Sequence, residues 1–375
     1  LGTLGLAAVG SFSSNPYWQR LSGALGTTAK AAVAVAIVLG VAPLLFVQVI
    51  YDPFWYTSNV ISAWWLLGFL AVLTVAYLAL YRWYGLNHSY ADDGTPSSRP
   101  GAPRGGFWLA GSLLLMIVCG AIMHAVVNQS LQPAEWMNWY APGGTIVPYG
   151  RELHSLTIGR LAFFLLLSLP VTAAWLFGMR RYLLSSGETD YGYVDFIEGL
   201  AHAMAKAGAV LVLAAGALWM AALPENMEWF RTSVWMWIAL VPIAYFGAMS
   251  FIQKKRKLCI FCNYMAFGMT IIMTIVLAAV REVLRFVTLL DAAGWNALDY
   301  KITMDWPSTA IFFVTFLVLG GLNLSYLLTL AWKSGQTKDL YTPSSGLTRV
   351  GTLAIASHIC WVAGYFIIGW IVING

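Results

Sequence analysis

The stretch RELHSLTIGRLAFFLLLSLP, residues 151–170, opens with Arg151, Glu152 and His154 and then turns apolar. The apolar run continues to about residue 179. A helix of that length crosses the ~30 Å hydrocarbon layer of a bilayer. A second arginine, Arg160, lies past the start of the run. A charge at that depth costs roughly 3 kcal/mol or more unless it is partnered. The stretch therefore indicates a membrane-spanning fold and raises the question of what Arg160 binds.

Working outward, the whole chain has the same character. Its 375 residues are 59% hydrophobic and only 10% charged, against about 25% charge in a soluble domain. Apolar runs of spanning length lie near 28–50, 59–82, 107–128, 156–179, 203–223, 232–252, 259–280, 307–332 and 350–373. They predict an all-α integral membrane protein, a polytopic bundle of about nine transmembrane helices in a single membrane domain, 1–375. The opening LGTLGLAAVGSF is too short to span and reads as the tail of a truncated N-terminal helix. If residues 13–27 face the cytoplasm, fifteen of the 21 lysines and arginines fall inside and five outside, with Arg160 in the membrane. That bias supports the span count and sets the orientation of a multi-pass membrane protein. The net charge of +5 is then sidedness, not a nucleic-acid footprint.

Residues 86–106, rich in Pro, Gly and Ser, read as a flexible inner linker. Residues 129–155 form an outer segment, in which Trp136, Trp139 and Tyr140 suit a short piece anchored at the interface. There is no Walker motif, no GxGxxG and no long soluble insert that would form a catalytic domain. No internal repeat is visible, which argues against a transporter built on inverted repeats.

The polar groups inside the spans carry the functional signal. His124 and Asn128 are four apart and share a helix face near the outer end of their span. His154 stands at the outer end of the next span. Two imidazoles at similar depth suit ligation of a haem iron or a hydrogen bond to a quinone carbonyl. Read as one helix, Arg160 lies about 9 Å deeper than His154 and is rotated by roughly 120°. It would meet a haem propionate or an acidic partner, or snorkel outward. At the inner end, Glu198, His202 and Lys206 stack on one face. They read as a proton path or as a surface salt-bridge ladder. Cys259 and Cys262 form a C-x-x-C without the His of a c-type haem site. It is half a zinc site, on the reducing side, and reads as two inert thiols. Cys119, His358 and Cys360 read as packing residues.

Three stretches resemble the large subunit of cytochrome bd quinol oxidases: KAAVAVAIVLGVAPLLFVQVIYDPFWYTSNV (30–60), SLLLMIVCGAIMHAVVNQSLQPAEW (112–136) and HSLTIGRLAFFLLL (154–167). The resemblance runs over residues 18–225, in order and spacing, and is weak over 226–375. It implies that His154, followed five residues later by Gly159, ligates a low-spin haem b iron near the outer surface. It also implies Met236, after Phe230-Arg231, as the second ligand. The departures are specific. The third span, ISAWWLLGFLAVLTVAYLAL, holds none of the family's acids. The large quinol-binding insertion is replaced by residues 224–231, and the Gly-Arg-Gln-Pro-Trp-type signature is absent. Terminal oxygen reduction is therefore not expected.

The sequence thus predicts a membrane subunit of a bacterial respiratory electron-transfer complex that handles quinol or quinone near the periplasmic face. Its expected partners are a periplasmic c-type, multihaem cytochrome or iron–sulfur subunits, other membrane subunits and lipid. Its expected site is His154, His124, Arg160, Asn128 and Met236. The alternative is a cofactor-free structural anchor that docks redox subunits.

Overall fold

The computed structural model describes all residues except 91–95, 99–100, 148, 256–261, 300–305, 335–340 and 375. Nine helical spans among the described residues are long and apolar enough to cross a membrane. The protein is an all-α polytopic membrane bundle, as the apolar runs require. In lipid every backbone N–H and C=O must be satisfied within the segment, which only a helix achieves for a single span.

The helices are α1 (Gly2–Phe12), α2 (Pro16–Ile50), α3 (Asp52–Ile61), α4 (Ala63–Asn87), α5 (Gly106–Gln129), α6 (Trp136–Tyr140), α7 (Ile158–Leu166), α8 (Ser168–Ser185), α9 (Tyr191–Ala221), α10 (Trp229–Thr232), α11 (Val234–Lys255), α12 (Cys262–Ala293), α13 (Trp306–Thr315), α14 (Gly321–Ser334) and α15 (Ser345–Asn374). α7 and α8 together make one span, Ile158–Ser185. Asn15 caps α2 by accepting from the Tyr17 N–H, and Asp190 caps α9 by accepting from the Tyr193 N–H. The short α1 does not span. It packs against α2 and α5, with Leu4, Ala7 and Ala8 buried.

The chain divides into two compact units, with the change near residue 300. Residues 226–299 therefore pack with the first 225. In the first unit one core lies at the end predicted to be inner, around Leu21, Trp83, Phe177 and Tyr193. A second lies at the outer end, around Phe54, Phe163, Trp219, Phe230 and Leu284. In the second unit α14 and α15 pair where Gly351 faces the Tyr326 ring. A π-helical segment, Phe316–Gly320, separates α13 from α14.

Three local expectations change. In the linker 86–106, β1 (His88–Tyr90) pairs antiparallel with β2 (Pro96–Ser98). Asn87 closes the loop, donating to the Arg104 carbonyl at 2.9 Å and accepting from its N–H at 2.7 Å. Trp136 and Trp139 are not simple interfacial anchors. The Trp136 indole donates to the Gln129 carbonyl at 2.9 Å and its ring meets Phe54. Cys262 is disulfide-bonded rather than an inert thiol, Cys119 and Cys360 are free, and Cys259 lies outside the described residues.

Helix approach at the outer end depends on Gly159. A Cβ there would stand 2.9 Å from the Trp219 nitrogen and 3.1 Å from its Cα, both main-chain atoms of α9 that cannot move aside cheaply. Small residues let membrane helices pack this closely. Gly159→Ala is expected to destabilise the bundle by about 1–3 kcal/mol, read as a lower melting temperature in detergent. Gly111→Ala, whose Cβ meets nothing within 4 Å, should be neutral or stabilising; equal losses in both variants would refute the contact.

Candidate functional site

The outer end is organised by the last residues of α5. Asn128 is 2% exposed and Gln129 is fully buried. The Asn128 amide reaches the Ser155 carbonyl at 2.8 Å, its hydroxyl at 2.9 Å and the Thr157 hydroxyl at 3.1 Å. Gln129 accepts from the His154 N–H at 3.2 Å and donates to the Ser62 hydroxyl at 3.0 Å. Ser62 in turn donates to the Glu152 carbonyl at 2.7 Å. These two amides hold residues 152–157 as an irregular strap. Ser155 takes φ +57°, and α7 starts only at Ile158. The helical geometry expected between His154 and Arg160 therefore does not apply, because His154 precedes the helix.

Arg160 is the centre of the site. It is 4% exposed, so it does not snorkel. Its Nη1 donates to the Asn128 side-chain oxygen, and its guanidinium lies over Trp219 at 5.6 Å from the ring centroid. His124 stands beside the Thr157 backbone and within electrostatic reach of Arg160. Its Nε2 is buried without a hydrogen-bond partner among the described residues. The structure thus brings His124, Asn128 and Arg160 together. His154 enters different surroundings. Its ring stacks on Trp139, with centroids 5.1 Å apart and planes within 3°, and its Nε2 lies 3.9 Å from Glu152.

An apolar cavity of about 330 Å³ opens beside this group, between α7, α9, α11 and α12. Phe163, Trp219, Phe230, Met236 and Leu277 line it, and Arg281 is its one charged wall among the described residues. Met236 is on the wall of this cavity, and His154 is not. A His154–Met236 pair does not fit a haem held in this space. An apolar wall with one guanidinium suits a flat apolar ring that carries an acceptor oxygen. A larger cavity of about 710 Å³ lies between α1, α2, α4 and α5, but Thr3 is the one polar side chain on its wall among the described residues, leaving little to orient a head group. Sequence reasoning missed Gln129, Trp219, Arg281 and Arg285. Arg281 and Arg285 were visible as an i, i+4 pair, but were counted only as outside charges.

The inner stripe is not a surface ladder. Glu198 pairs with Arg180 of α8 at 2.9 Å, both largely buried. His202 shares a hydrogen bond with Ser250 of α11 at 2.9 Å and lies 3.9 Å from Glu198. Lys206 is exposed. The stripe joins α8, α9 and α11 through polar contacts, each worth about 0.6 kcal/mol in a membrane.

Two outcomes test the site. Asn128→Leu leaves the Arg160 guanidinium without its acceptor and should cost about 2–3 kcal/mol in thermal unfolding, most of it recovered in Asn128→Leu/Arg160→Met. Burial holds the His154 imidazole below its ordinary value of 6.5. The folded strap keeps His154 neutral while the unfolded chain takes up a proton. Stability is therefore full above pH 6.5 and falls as pH drops through 6.5. His154→Gln should flatten that part of the melting profile, and a profile unchanged by the substitution would exclude His154 as its source. No family model, no curated protein and no solved structure matches the chain.

Proposed function

We propose that this chain is a membrane subunit of a bacterial respiratory electron-transfer complex, working as a quinol–quinone site at its outer end. The observation that carries the reading is the 330 Å³ cavity with a single guanidinium on an aromatic and aliphatic wall. Such a wall accepts a flat ring and an isoprenoid tail, while Arg281 donates to a ring oxygen and fixes its orientation. A bound quinol supplies two electrons and two protons. Trp219 and Phe163 exclude water from the ring, and Asn128 and Trp219 position Arg160 behind it. His124 stands on the same side of the bundle, its buried Nε2 without a hydrogen-bond partner among the described residues. Electrons pass to a periplasmic c-type cytochrome or iron–sulfur partner, and protons leave on the outer side. The Glu198–His202–Lys206 stripe is not needed to carry protons in this scheme.

A second reading, the cofactor-free anchor, rests on the polar contacts that Arg160, Glu198 and His202 make between helices of the same chain. Extraction of the purified complex separates the two. Quinone should be recovered with the wild type and depleted about tenfold in Ala239→Trp, which fills the cavity, a difference of about 1.4 kcal/mol in binding. Arg281→Gln should weaken quinone retention without unfolding the bundle. Equal quinone in all three preparations would remove the cavity assignment. No quinone and no b-type haem band in the wild type would leave the anchor.

A further inference from the structure

Charge does not balance at the outer end. Arg160 stands within Coulomb reach of both Arg281 and Arg285. The latter two are one turn apart on α12 and share a face. Arg160 and Arg285 are 4% and 5% exposed. Arg285 lies over the Tyr51 ring at 5.4 Å. Among the described residues the carboxylate in contact with this group is Glu282, 3.1 Å from Arg285. Three guanidiniums face one carboxylate, leaving two positive charges uncompensated among the described residues. The Arg160 Nε is also buried without an acceptor among the described residues. An unpaired charge away from water is among the costliest features a fold can carry, so the arrangement calls for an anion from outside the chain.

Depth and access indicate which anion. α12 has 32 residues, about 48 Å, and outlasts the ~30 Å hydrocarbon layer at its ends. Its apolar run ends near residue 280, so Arg281 and Arg285 follow that run at its outer end. From there the long Arg281 side chain reaches the headgroup level. Arg281 is the exposed member, at the wall of the cavity. Its five N–H donors allow one edge to serve the cavity and the other a phosphate.

We propose that the Arg160–Arg281–Arg285 cluster is a binding site for the phosphate of an anionic phospholipid. Arg281 makes the contact, and Arg160 and Arg285 supply the field behind it. The site does not depend on what fills the cavity, and its readout is lipid rather than electron transfer.

The test is lipid retention by the intact protein. Wild type, Arg281→Gln, Arg281→Lys and Arg231→Gln are reconstituted in vesicles of phosphatidylcholine with a minority of phosphatidylglycerol. Each is washed in mild detergent, and bound lipid is measured by class. Wild type should retain phosphatidylglycerol above its share of the vesicle and melt higher with it than with phosphatidylcholine alone. Arg281→Gln should lose roughly fivefold in that enrichment, while Arg281→Lys keeps most of it. Arg231, already paired with Glu228 at 3.1 Å, serves as the control and should change nothing. Enrichment that is absent in wild type, or unchanged in Arg281→Gln, overturns the proposal. So does an equal rise in melting temperature with inorganic phosphate alone, which would make the ligand a free anion. Release of bound phosphatidylglycerol by an acidic partner subunit would overturn it in favour of a protein carboxylate.

Discussion

A guanidinium held inside a membrane bundle needs an acceptor, and Arg160 finds its acceptor in Asn128. Much of the outer end follows from that contact. The close approach of α7 to α9 at Gly159, where a Cβ would not fit, also sets Arg160 over the Trp219 ring. The same Asn128 amide fixes Ser155 and Thr157, which sets where α7 begins. The start of α7 then decides that His154 belongs to a strap and stacks on Trp139 instead of joining the buried group. One hydrogen bond to a charged side chain thus couples the end of α5, the strap and the packing of α7 on α9.

The two ends of the first unit manage charge differently. At the inner end cations meet acids within the chain: Arg20 with Glu188 and Asp190, and Arg180 with Glu198. The Arg20 side chain beside Glu188 holds that carboxyl below its ordinary value, so the pairing persists as pH falls toward the acid range. At the outer end arginines gather with one acid among them, next to an apolar cavity. A closed charge network suits a structural role, whereas an open one beside a cavity suits ligands. That contrast is one ground for placing the proposed site at the outer end.

The spans were legible because hydropathy answers a length question that lipid poses uniformly. Residues 107–128 and 156–179 fall within Gly106–Gln129 and close to Ile158–Ser185. Asn128 and Arg160 were legible for the same reason, as polar groups in apolar company. The pairing between them was not. Nor was the Gln129 clamp, because a glutamine at the end of a span looks like any interfacial residue until its buried partners are known. Trp136 was read as an interfacial anchor and instead turns inward, since its indole finds the Gln129 carbonyl. The inner stripe was read as a proton path or a surface ladder, and its partners on α8 and α11 were not legible, because a helical face shows which residues align, not which helix they meet.

By itself the sequence determined that this chain spans a membrane many times, where its spans lie, and that Arg160 must have a partner. These follow from local composition and from the cost of polar groups in hydrocarbon, which act residue by residue. Tertiary structure alone decided that His124, Asn128 and Arg160 converge while His154 turns away. It also decided that Arg281 and Arg285, more than a hundred positions later, complete the cationic group beside a cavity. The physical reason is that a site is a set of distances between helices, and those are fixed by close approach at small residues such as Gly159 and by side-chain bonds across the bundle.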